Sequence, residues 1–99
     1  MIKILMQWDI KSGRESAYLD FVSQELTPAL MKLGVEPTEV WYTYWGEGPQ
    51  ILTGLAAENM EVARKMLKDP EWVRLYQRLL EYVINFEYKL VPASGRFQL

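Results

Sequence analysis

The order and period of the apolar residues predict an α+β fold: one four-stranded antiparallel sheet with two helices on one of its faces. Three observations carry this. Residues 2–10 and 84–91 alternate between two side-chain sets, the period of a strand with one covered face. Two longer stretches, Ala17 to Leu33 and Val62 to Val83, instead repeat apolar residues at spacings of three and four, the period of a helix. Between them, residues 39–58 read as two further strands joined by the turn Gly46-Glu47-Gly48-Pro49. The order is β-α-β-β-α-β. Two strand–helix–strand halves with right-handed crossovers put both helices on the same side, and the first and third strands in the centre.

In the first strand, Ile2, Ile4, Met6, Trp8 and Ile10 make a wholly apolar face, and Lys3, Leu5, Gln7 and Asp9 the other. Ser12-Gly13-Arg14-Glu15 has the capping-box pattern that starts a helix. Its core stripe is Ala17, Tyr18, Phe21, Val22, Leu26, Ala29, Leu30 and Leu33, with Gly34 at the C-terminal cap position. Pro28 falls inside this run. It lacks a backbone donor, so a kink in one continuous helix is expected there.

Val35 to Thr38 lead into Val40-Trp41-Tyr42-Thr43-Tyr44-Trp45, a strand apolar on both faces. Residues 50–58 follow as its hairpin partner, with Gly54, Ala56 and Ala57 small enough to admit a close neighbour. Asn59 caps the second helix. Asp69-Pro70 breaks and restarts it, Asp69 as cap and Pro70 in the first position. Its stripe runs through Val62, Ala63, Met66, Leu67, Trp72, Leu75, Tyr76, Leu79, Leu80 and Val83. The cations Arg64, Lys65, Lys68, Arg74 and Arg78 lie among Glu58, Glu61, Asp69, Glu71 and Glu81, which reads as a solvated face of mixed charge. In the last strand Ile84, Phe86, Tyr88 and Leu90 are expected to face the helices, and Asn85, Glu87, Lys89 and Val91 the other side. Pro92-Ala93-Ser94-Gly95 ends it, and Arg96-Phe97-Gln98-Leu99 is a short tail.

Ninety-nine residues fit one domain, 1–99. With no cysteine, disulfides and cysteine nucleophiles are excluded, and with no histidine so are the commonest general base and transition-metal ligand. No metal site or cofactor is read from the chain. The net charge of −2 argues against nucleic-acid or anionic-membrane partners. No apolar run approaches the roughly 18 residues of a membrane span, and no signal peptide is visible, so a cytoplasmic protein is expected.

The unusual quantity is 13% aromatic residues, including four Trp and six Tyr. Both helices lie on one side of the sheet, so the other face is open. It carries Lys3, Leu5, Gln7, Asp9, Asn85, Glu87 and Lys89. To these the hairpin adds one aromatic set, either Trp41/Thr43/Trp45 or Tyr42/Tyr44. A patch of this kind marks an interface or a pocket. A twofold dimer packing sheet against sheet would cover it with a second copy of itself and enclose its polar part.

At this point the chain resembles the dimeric α/β-barrel proteins of ferredoxin-like fold: the antibiotic-biosynthesis monooxygenases, the NIPSNAP-like proteins and the stress-responsive barrel proteins. The local match is Lys68-Asp69-Pro70-Glu71-Trp72, similar to the Asp-Pro-Glu-Trp break in the second helix of those families, followed by a return strand ending in Val91-Pro92. The resemblance implies a homodimer with a cavity between sheet and helices, or between sheets, holding a small, often aromatic molecule. Members that handle haem use a histidine, which this chain lacks. Cofactor-free monooxygenases of this group place tryptophan, asparagine and tyrosine around a substrate that itself activates oxygen. No catalytic residue is carried over from them.

The candidate catalytic pair is Asp9 and Glu87, because two carboxylates in a partly apolar cavity can raise one pKa and supply an acid or base. The competing reading is an ion pair of Lys89 with Glu87 or Asp9. Candidate ligand-binding residues are Gln7, Trp41, Tyr42, Tyr44, Trp45, Asn85 and Lys89, the aromatic ones by stacking. For them the competing reading is core and dimer interface. Trp8 and Trp72 read as core, and Tyr18 and Tyr76 as helix residues with hydroxyls at its edge. The functional expectation is a homodimer binding a small aromatic or apolar molecule in a sheet-face cavity, as a cofactor-independent monooxygenase-like enzyme. The alternative is a non-catalytic dimeric binding or assembly module.

Overall fold

The computed structural model describes residues 1–93; Ser94-Gly95 of the expected strand end and the tail 96–99 lie outside the described residues. The elements are β1 (Ile2–Ile10), α1 (Glu15–Phe21), a π-helical segment (Val22–Leu26), α2 (Thr27–Lys32), β2 (Glu36–Tyr42), β3 (Ile51–Ala57), α3 (Met60–Lys68), α4 (Pro70–Leu79) and β4 (Val83–Pro92). The sheet order is β2-β3-β1-β4, every pair antiparallel, with the first and third strands central as expected.

Glu15 closes half of the capping box. Both of its carboxylate oxygens accept the Gly13 N–H at 3.0 Å. Ser12 takes no part, because the chain turns at Gly13 (φ 83) and the cap position falls on Arg14. The helix is continuous through Pro28. The missing N–H is absorbed by a π turn, in which the Thr27 N–H reaches back to the Val22 carbonyl. The second helix starts and restarts as its caps dictate. Asn59 Oδ1 accepts the Val62 N–H at 2.9 Å, and Asp69 Oδ1 the Glu71 N–H at 2.8 Å.

Cross-strand register sorts the side chains into two faces. On the helix side lie the rows Tyr42–Ile51–Trp8, Val40–Thr53–Met6–Tyr88 and Pro37–Leu55–Ile4–Leu90. Ile4, Met6, Trp8, Ile51 and Leu55 from these rows are buried in one cluster with Phe21, Leu26 and Leu30 of the first helical run and Met66, Trp72, Leu75 and Leu79 of the second. Burying each such side chain contributes about 1.5–3 kcal/mol.

Two irregularities change the sequence reading. The first lies between Pro37 and Glu39 of β2, a strand that ends at Tyr42. Tyr44 and Trp45 therefore stand outside the strand, in the loop that leads to β3. The second lies between Gln7 and Asp9 of β1 and their β4 partners. Asn85 adopts φ 58 there, which an asparagine tolerates better than most residues. The extra residue reverses the faces at the start of β4. Val83, expected to close the helical stripe, is instead the first residue of β4 and points into the core, and Ile84, expected on the helix side, is 48% exposed beside Asp9.

Candidate functional site

An apolar cavity of about 90 Å³ lies between the helix side of the sheet and the first helical run. Met6 and Trp8 form its floor, with Leu55 and Thr53 from β3. Tyr18, Val22 and Leu26 come down from α1 and the π segment. Pro37 and Val40 on the edge strand complete it. Val40 is 64% exposed, so the cavity opens along that edge. The π segment lies directly over it.

The polar groups of this wall are few. The Trp8 indole N–H donates to the Tyr18 hydroxyl at 3.0 Å, and the two rings meet edge to face. The Thr53 hydroxyl donates to the Glu39 carbonyl at 3.0 Å. Tyr18 is a buried core residue, not one with its hydroxyl at the core edge. Burial pushes its phenol above the ordinary tyrosine value, so it stays protonated across the neutral range.

The open face is more polar than anticipated. Its rows are Glu36–Ala56–Lys3–Val91, Glu39–Gly54–Leu5–Lys89 and Trp41–Leu52–Gln7–Glu87, followed by Asp9 beside Ile84. Trp41 is the aromatic side chain the hairpin contributes; Tyr42 belongs to the opposite face. Tyr44 and Trp45 are both 95% exposed in the loop. The ion pair on this face joins Lys3 to Glu39 at 2.7 Å and holds the Glu39 carboxyl below its usual pKa. It runs over Gly54, whose missing side chain leaves the space that the Glu39 carboxylate fills. Lys89 makes no ion pair with Glu87 or Asp9, contrary to the competing reading.

The structure joins the remaining predicted polar residues in two separate pairs. Gln7 donates to Glu87 at 3.1 Å. Asn85 donates to Asp9 Oδ2 at 3.0 Å, and the Gln50 N–H donates to Asp9 Oδ1 at 2.8 Å. Gln50 in turn accepts the Ile10 N–H and donates to the Tyr42 hydroxyl. The Asn85 bond, then the Gln50 bond, hold the Asp9 carboxyl below its usual pKa. Asp9 is thus an anion whose two oxygens tie two strand ends. Leu5, Gln7, Leu52, Glu87, Tyr88 and Lys89 outline a shallow groove of about 230 Å³ on this face.

Sequence reasoning missed Tyr18, Thr53 and Gln50 as site residues. For Tyr18 a signal existed, a polar tip within an otherwise apolar helix stripe facing Trp8. For Thr53 and Gln50 there was none without the register. Among the described residues, no helix is long and apolar enough to cross a membrane.

No protein-family model matches the sequence, and no curated protein matches it at a significant level. Solved structures match it over nearly its whole length. An uncharacterised NIPSNAP domain protein from Burkholderia xenovorans aligns with a TM-score of 0.72 at 16% identity, covering 99% of this chain and 100% of that one. A protein from Arabidopsis thaliana aligns at 0.76 and 10% identity, covering 99% and 100%. An antibiotic biosynthesis monooxygenase aligns at 0.65 and 13% identity, covering 96% and 100%. The chain has the ferredoxin-like α+β fold of these proteins, as the Asp-Pro-Glu-Trp break suggested.

Proposed function

We propose that the protein is a homodimer, each protomer of which binds a small apolar or aromatic molecule in the cavity between its sheet and first helical run. The observation that carries the binding is the cavity itself: about 90 Å³, walled by apolar side chains and reached from the β2 edge. Apolar cavities of this kind stay dry and take up apolar guests, with roughly 150 Å³ sufficing for a benzene ring. A ring therefore projects from the closed part toward Pro37 and Val40, or displaces the π-helical wall. The expected site moves from the open sheet face to the covered one, and the open face is left to the partner protomer. The test is uptake of toluene or xenon followed by NMR or in a crystal. Guest signals at Trp8 and Tyr18 support the reading. Val22→Phe should fill the space and abolish uptake, at a stability loss of about 1–3 kcal/mol. Uptake unaffected by Val22→Phe would place the guest elsewhere.

A second reading is favoured by one observation, the joining of Gln7 to Glu87 and of Asn85 to Asp9 on the open face. On this reading Glu87 and Asp9 act on a substrate, held with the help of Trp41 and Lys89, between the sheets of the dimer. Monooxygenation is the activity in the name of one structural neighbour. Turnover of quinols or anthrone-type compounds, lost in Glu87→Gln and Asp9→Asn, is the expected result. Absence of turnover in the wild type leaves the binding reading alone.

A further inference from the structure

We infer that Tyr18 is the polar anchor of the sheet–helix cavity, donating its hydroxyl proton to an oxygen acceptor on the bound molecule. The ligand is then a small apolar compound carrying one accepting oxygen, of which an aryl ketone is the simplest. The inference rests on the binding reading above and narrows it.

The accounting of donors leads there. The Trp8 N–H is spent on Tyr18. The Thr53 hydroxyl proton is spent on the Glu39 carbonyl. Tyr18 accepts from Trp8 and, among the described residues, donates to no one. Yet the residue is 4% exposed, and a hydroxyl has one proton to give as well as lone pairs to receive. The Trp8 bond occupies one side of the oxygen and so restricts where the O–H can point. Tyr18 lines the cavity, so an oxygen on a bound molecule is the partner within reach of that proton. The other hydroxyl on this wall, that of Thr27, belongs to a half-exposed residue that water reaches. A buried donor with no partner is costly to keep. A ligand oxygen resolves that cost, whereas a pure hydrocarbon does not.

The test compares acetophenone with α-methylstyrene, which differ in having C=O in place of C=CH₂, on wild type and on Tyr18→Phe. Binding is read from the Trp8 indole N–H resonance. In the wild type both should bind. In Tyr18→Phe acetophenone should lose affinity by about tenfold or more, the order of a lost hydrogen bond to a buried oxygen, while α-methylstyrene is unchanged. Equal effects on the two compounds, or none on the ketone, overturn the anchor and leave the cavity-binding reading standing. Binding of neither compound to the wild type overturns both.

Tyr18→Phe also strips the Trp8 N–H of its acceptor, so where the variant does not fold the wild type alone decides. The carbonyl stretch of bound ¹³C-labelled acetophenone should fall below its frequency in a hydrocarbon solvent. A frequency equal to that in hydrocarbon overturns the assignment.

Discussion

At Asn85 the backbone adopts φ 58, a conformation that glycine and asparagine accept and β-branched residues resist. Asn85→Val should therefore lower stability by about 1–3 kcal/mol in a urea titration. Asn85→Gly should stay within about 1 kcal/mol of wild type, because relief of the backbone offsets the lost bond to Asp9. If the two substitutions cost the same, the bulge is not set by this residue. Asp9, which Asn85 and Gln50 hold, carries a pH signature. Its carboxyl is more acidic folded than in the unfolded chain, where about 3.9 is usual. The stabilisation is present above that value and is lost as pH falls through the folded pKa. Stability should fall between about pH 5 and pH 2, and Asp9→Asn should flatten part of that fall, leaving the part due to Glu39 and Glu71. Denaturant midpoints across this range check it, and an unchanged slope in Asp9→Asn would remove Asp9 from the account.

Among the elements, the break at Asp69-Pro70 is the one whose chemistry is most local. Asp69 caps α4 through a single 2.8 Å bond to the Glu71 N–H, so Asp69→Ala should cost about 1 kcal/mol, read from thermal or urea unfolding. A neutral result would mean that Pro70 alone sets the restart. This break was legible because cap and proline act within three residues. The same holds for β1 and for both helical stripes, where one covered face stamps its period on the chain. The hairpin was less legible. Val40 to Trp45 is apolar on both sides, so no alternation marked its register or its end, and only pairing with β3 put Trp41 and Tyr42 on opposite faces. The stretch from Ile84 to Val91 alternates without a visible defect, yet the bulge reverses its first residues. A lone Asn between Ile84 and Phe86 was the only hint. The cavity was hidden for a different reason. It is a mismatch between packed surfaces, and no periodicity records a gap.

At the scale of the whole molecule, the proposed dimer rests on the open face. Four strands spaced about 4.8 Å and seven to ten residues long present a surface on the order of the ~800 Å² that each partner contributes to a stable interface. Its middle rows hold Trp41, Leu52 and Leu5, and Ile84 lies at one end, 48% exposed. The Lys3–Glu39 pair on the same face satisfies its own charges, so a partner can cover it without finding counter-ions. The protomer is a slab 37 × 33 × 19 Å with a radius of gyration of 13.5 Å. Two slabs stacked sheet to sheet have centres about one thickness apart, which raises the radius to roughly 16–17 Å, against about 13 Å for a compact chain of this length. X-ray scattering at micromolar concentration should give the larger value, and sedimentation twice the mass of 11.6 kDa. Leu52→Asp places a charge in the central row without touching the helix-side core. It should return both measurements to those of one chain while leaving the fold and the cavity intact. A wild type already monomeric in both would leave Trp41 and its row without a partner, and the dimer reading would fall while the cavity reading stood.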